Sequence, residues 1–138
     1  GDPIELPPEE LPFDLKAEVI EIEDDDFGIW YLDAMEHPEN YEGKTVSFTG
    51  RVYIANDFPN GCFVPGRHAM TCCVEDIRFI GFICKTKHID KFKNNMWVKI
   101  TATVKTEYFP AYQGEGPVLY LKHAKSTKKP EEELVYFN

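Results

Sequence analysis

A chain of 138 residues and 15.9 kDa, 43% hydrophobic and 14% aromatic, suits a single packed core; two cores or a disordered chain do not fit. The formal net charge of -9 argues at first sight against nucleic acid or an anionic membrane surface as a partner. That charge is divided: residues 1–42 hold 15 of the 24 acids and one base, Lys16, for a net of −14, whereas residues 43–138 carry +5.

Residues 1–16, rich in Pro and Glu, read as an extended leader or tether, and residues 17–138 as one domain. The start at Gly1-Asp2-Pro3, without a Met, reads as a boundary cut from something longer, with a leader or anchor upstream. No run approaches the ~18 apolar residues that would span a bilayer. Residues 17–23 alternate Val19 and Ile22 with acids, which predicts a short edge strand. Asp24, Asp25 and Asp26 offer N-cap oxygens, Phe27, Trp30, Tyr31 and Ala34 follow at helical spacing, and His37-Pro38 stops the helix.

Strands follow. Val46, Phe48, Val52 and Ile54 alternate with polar residues, and Gly50 marks a bulge or bend. Residues 63–73 predict a second strand, 77–85 a third, 88–95 a helical turn or loop, 97–108 a fourth strand and 118–124 a fifth, with a turn over 114–117. Five strands, the first of them bent, and a short element between the third and fourth predict a mainly β protein built as an OB-type barrel, preceded by a strand and a short helix. An SH3-like barrel or small sandwich is the structural competitor.

The segment with chemistry runs from Phe63 to Asp76. In an extended strand His68, Met70 and Cys72 share one face, while Arg67, Ala69, Thr71 and Cys73 share the other. His68, Cys72 and Asp76 are spaced by four, and Cys73 sits beside the turn. Thiolate, imidazole and carboxylate are donors that zinc accepts, usually four together, and Cys with Met would also admit copper(I). The plainer alternative is a cysteine facing the core while Asp76 caps a tight turn. No CxxC pair is present, and adjacent Cys72 and Cys73 are poorly placed to bridge each other. A short hairpin at Glu75-Asp76 would bring Cys84 opposite Cys72 or Cys73, as a further ligand or a disulfide partner; Cys62 has no evident partner.

Catalysis by Cys72 or Cys73 with His68 and Asp76 fails on distance, since His68 and Cys72 would stand about 13 Å apart along one strand. Single-stranded nucleic acid is an alternative ligand for such a barrel, with Arg51, Tyr53, Arg67, Arg78 and Phe82 as its surface. The positive charge sits mostly in scattered lysines, however, and no nucleic-acid partner is expected.

Residues 43–53 (Gly-Lys-Thr-Val-Ser-Phe-Thr-Gly-Arg-Val-Tyr), Gly66-Arg67-His68 with Thr71-Cys72-Cys73-Val74-Glu75-Asp76, and Trp97-Val98-Lys99-Ile100-Thr101 together resemble the C-terminal soluble domain of the YcgQ-like family. The resemblance covers roughly residues 17–137 and includes the closing Val135-Tyr136; its most specific element is Gly-Arg-x-x-x-x-Cys-Cys-x-x-Asp. These are bacterial proteins that carry membrane-spanning segments ahead of this domain. The resemblance implies a non-enzymatic accessory module, membrane-tethered or secreted on the extracytoplasmic side. Its partner would be a predicted permease and its task metal-ion supply, for which the donor types of the segment suit zinc. It makes residues 1–16 a juxtamembrane linker and sets Cys72, Cys73 and Asp76 in the family motif as the metal ligands, with Gly66 and Arg67 part of the binding or structural motif; Cys84 stays the weaker addition that the hairpin alone suggests. His68 and Glu75 depart from the family pattern, so His68 is not carried over as a ligand. A thiol-based redox domain is the remaining alternative.

Overall fold

In the computed structural model, residues 7–137 are described, and they form eight strands in one mixed sheet with one short α-helix. The first long alternating stretch is β2 (Thr45–Tyr53), which buries Val46, Phe48 and Val52 on one side. It pairs antiparallel with β6 (Trp97–Phe109), whose Val98, Ile100, Ala102 and Val104 are buried in the same alternation. β6 turns at Pro110–Tyr112 into β7 (Gly114–Ser126), with Gln113 in the left-handed region at φ 57°. β5 (Cys84–Lys85) runs parallel to β7, with Cys84 opposite Leu119, and antiparallel to β3 (Cys62–Ala69). β3 pairs in turn with β2, so the order β2–β6–β7–β5–β3 closes into a ring. The ring is flanked by β1 (Ile20–Glu21) on β2, and by β4 (Arg78–Ile80) and β8 (Leu134–Val135) on either side of β3.

The helix α1 (Phe27–Glu36) packs its buried Phe27, Trp30 and Ala34 against the ring. Trp30 meets Phe48 at 4.9 Å and Phe82 edge-on at 5.3 Å between ring centroids, so burial of the aromatics sets the helix in place. The chain leaves helical geometry at His37, directly before Pro38. Residues 1–6 of the expected leader lie outside the described residues. Of the rest, Pro8–Glu10 makes a 3-10 turn, Phe13 is buried, and Leu11 and Leu15 pack against the core.

Three expectations change. The anticipated third strand is two strands, β4 and β5, because the chain crosses closely over β3 at Gly81. A Cβ there would meet the Val64 side chain at 2.6 Å and the Gly66 backbone at 3.0 Å. Beyond the break, the Ile83 amide donates to the Tyr112 hydroxyl at 2.8 Å, and its carbonyl accepts from Leu119 N at 2.8 Å. The expected turn over 114–117 belongs to β7, since the reversal is completed earlier, at residues 110–113. The second strand stops at Ala69, so Thr71, Cys72 and Cys73 follow it rather than extend it.

Candidate functional site

Strand β3 delivers the Gly66-Arg67 pair into the interior. A Cβ at Gly66 would lie 2.3 Å from the Ile80 carbonyl oxygen and 2.7 Å from the Phe79 ring, so β4 approaches as it does only over a glycine. Arg67 is fully buried. Its Nη1 donates to Asp24 Oδ1 at 2.7 Å, and its Nη2 to the carbonyls of Glu132 and Glu133 at 2.9 and 3.3 Å. The guanidinium stands 5.2 Å from the Trp97 ring centroid, and its Nε has no partner among the described residues. Arg67 therefore ties the acidic front of the chain and the tail to the strands between them. A buried cation so placed is costly to strand and holds its partners in register. The Asp24–Arg67 pair was not visible in the sequence, where the three aspartates read as helix caps; none of the helical turns there carries a side-chain cap bond.

Just past β3 the chain emerges. Cys72, Cys73 and Asp76 are all exposed and surround a 3-10 turn, Val74–Asp76, closed by Asp76 N donating to Cys73 O at 2.9 Å. Asp76 Oδ2 accepts from the Cys72 thiol at 2.6 Å and the Cys73 thiol at 3.4 Å, and the two sulfurs are 3.8 Å apart. Among the described residues this is the set of three His, Cys, Asp or Glu side chains whose donor atoms converge, all within 4.8 Å of one another. The Asp76 carboxylate, by accepting the Cys72 proton, pushes that thiol up to about 11, with the neighbouring Cys73 adding to the shift. The same bonds hold Asp76 below its ordinary value. Cys72 is thus a thiol at neutral pH and a weak nucleophile.

The donor geometry suits a tetrahedral borderline ion. Two thiolates at about 2.3 Å from zinc stand about 3.8 Å apart, the separation found here, and a carboxylate oxygen stands about 3.6 Å from each sulfur. The Cys73–Asp76 contact meets that spacing, while the Cys72–Asp76 hydrogen bond would open by about 1 Å as a metal replaced the proton. Three protein donors leave a fourth position for water or a transfer partner.

The other sequence candidates lie elsewhere. Cys84 is buried opposite Phe63, and not opposite Cys72 or Cys73: β4 and β5 keep one register against β3, and in it those two cysteines fall past the strand end, at the reversal itself. Burial pushes its thiol far up. Cys62 is buried as well, one step along β3. His68 stays in β3 and packs edge-on against Phe79 at 5.1 Å.

A closed ring of strands carrying a buried arginine tie and an exposed two-thiol, one-carboxylate turn defines a mainly β domain with one short helix. The chain belongs to the DUF1980 C-terminal domain family, which it matches over residues 7–137. It is 25% identical over 117 residues to the protein YcgQ of Bacillus subtilis, covering 85% of this chain and 41% of that protein. It is 24% identical over 110 residues to a Streptococcus mutans protein named as a candidate subunit of a two-component membrane permease complex, covering 77% and 40%. The chain thus spans about two fifths of the length of these curated relatives. Among solved structures it resembles an aspartyl tRNA synthetase of Entamoeba histolytica, with TM-score 0.39, 12% identity and coverage of 62% of this chain and 19% of that one. It also resembles the mitochondrial single-stranded DNA binding protein Rim1 of S. cerevisiae, with TM-score 0.37, 12% identity and coverage of 63% and 97%. Among the described residues no helix is long and apolar enough to cross a membrane.

Proposed function

We propose that this domain is a non-enzymatic accessory module of a membrane permease system that captures a zinc-type ion on Cys72, Cys73 and Asp76. The convergence of two thiols and a carboxylate on one exposed turn carries the reading. Exposure suits capture and hand-over better than permanent retention, since structural zinc sites are closed by four protein ligands. The permease partner is supported by the name of the Streptococcus mutans relative. On this reading the domain is tethered at an extracytoplasmic membrane face, with the chain ahead of the docked Leu11 and Phe13 as the juxtamembrane linker. The architecture we assign is OB-like, supported by the ring order and the parallel β5–β7 pairing.

A thiol-redox role has less support, because Asp76 keeps the Cys72 thiol protonated. Metal analysis of protein prepared without chelator tests the capture reading. One zinc per chain is expected in the native protein and none in Cys72→Ser/Cys73→Ser. Equal metal content in both, or none in either after incubation with zinc, would contradict it.

A further inference from the structure

A second surface, lined by none of the thiol turn, carries its own chemistry. A groove of about 1190 Å³ opens between the segment after β5 and the far half of β7, floored by the buried Phe92 and Val98. Its walls bear Lys85, Lys87, Lys91, Lys122 and Lys125, together with His88 and His123, and no Asp or Glu. In a chain of 24 acids and 15 bases, five lysines without one acid is a segregated wall, and a solvated mixed surface would not give it. Among the described residues none of the five lysines forms an ion pair, whereas Lys99 and Lys129 elsewhere do. None of the acidic front segment lines the groove. Glu107 accepts from the hydroxyl of Tyr120, a wall residue. The other face of the chemistry is aromatic: Tyr108 lines the groove and is 65% exposed.

We infer that this groove binds a flexible phosphodiester chain. Lysines without ion pairs on two adjacent segments neutralise successive phosphates, and a concave, apolar floor with an exposed tyrosine accepts what the phosphates carry. A flat bilayer surface would meet the lysine rim without reaching the floor, so a strand fits the shape better than a membrane plane. This inference is independent of the metal reading, since no thiol or carboxylate of that turn lines the groove.

The test is the binding of fluorescein-labelled oligothymidylate to the 138-residue chain, followed by anisotropy over a range of salt. Binding at low salt is expected, weakening steeply as salt rises. Lys87→Glu/Lys122→Glu/Lys125→Glu should reduce affinity by roughly a hundredfold and lower the salt slope by about 2, the share of three phosphate contacts. Lys87→Gln/Lys122→Gln/Lys125→Gln should give an intermediate loss, with thermal melts checking that both variants fold. Lys16→Glu/Lys128→Glu/Lys129→Glu, with the same change in net charge outside the groove, should bind nearly as the parent does. Base-free poly(glycerol phosphate) should compete. The inference is overturned by equal weakening in the control triple or by no binding at low salt. It also fails if poly(glycerol phosphate) does not compete, or if phosphatidylglycerol vesicles bind through these lysines while the oligonucleotide does not.

Discussion

Asp76 decides what the two exposed thiols can do. By accepting from both, it keeps Cys72 protonated up to about pH 11 and itself ionised to lower pH than usual. Asp76→Asn removes the carboxylate that holds the proton, so the Cys72 thiol returns toward its ordinary value and alkylation near neutral pH should accelerate severalfold. Iodoacetamide rates measured in a Cys73→Ser background check this; an unchanged or slower rate would contradict the assignment. Arg67 poses the opposite problem, a cation with no access to water and one carboxylate partner that is 49% exposed. Asp24→Ala should cost about 2 kcal/mol, because a buried charge loses its strongest hydrogen bond. Glu21→Ala, which breaks the solvent-screened pair with Lys99, should cost under about 1 kcal/mol. Urea unfolding of the two variants separates these cases.

At the scale of elements, two close approaches shape the path of the strands. Gly66→Ala would drive a methyl into the Ile80 carbonyl and should destabilise the protein by about 2 kcal/mol, whereas at Gly114, where nothing lies within 4 Å, the same change should be nearly neutral. Tyr112 bridges the break between β4 and β5, accepting from Ile83 N and donating to Pro117 O at 2.7 Å. Tyr112→Phe should cost about 1–3 kcal/mol by leaving a part-buried amide unpaired, read as a lowered melting temperature. Period-two burial made β2 and β6 legible in the sequence, and helical spacing with a proline stop did the same for α1. What stayed hidden was set by long-range geometry. The split of the third strand depends on β3 passing beneath Gly81, which no local pattern records, and Cys84 sits across from Phe63 because the reversal is centred on Cys73 and Val74 rather than on the Glu75-Asp76 turn. Cys72, Cys73 and Asp76 were legible as donors because they are neighbours in sequence. Their convergence still required the 3-10 turn that the structure supplies.

Over the whole molecule the division of charge becomes spatial. The acidic front contributes Asp24 to the buried tie, Glu21 to a surface pair, and nothing to the lysine groove. The groove lysines looked scattered because they lie on two segments about 35 positions apart, which the parallel β5–β7 pairing sets side by side. The molecule thus presents two chemically distinct surfaces, an exposed thiol and carboxylate turn and a lysine-walled groove. The measurement that bears most directly on the metal-capturing role is zinc affinity, determined by competition with a chromophoric chelator between about pH 6 and pH 8. Binding that displaces two thiol protons should strengthen by about a hundredfold per pH unit in this range and disappear in Cys72→Ser/Cys73→Ser. An affinity that is flat with pH, or that survives the double substitution, would contradict the account.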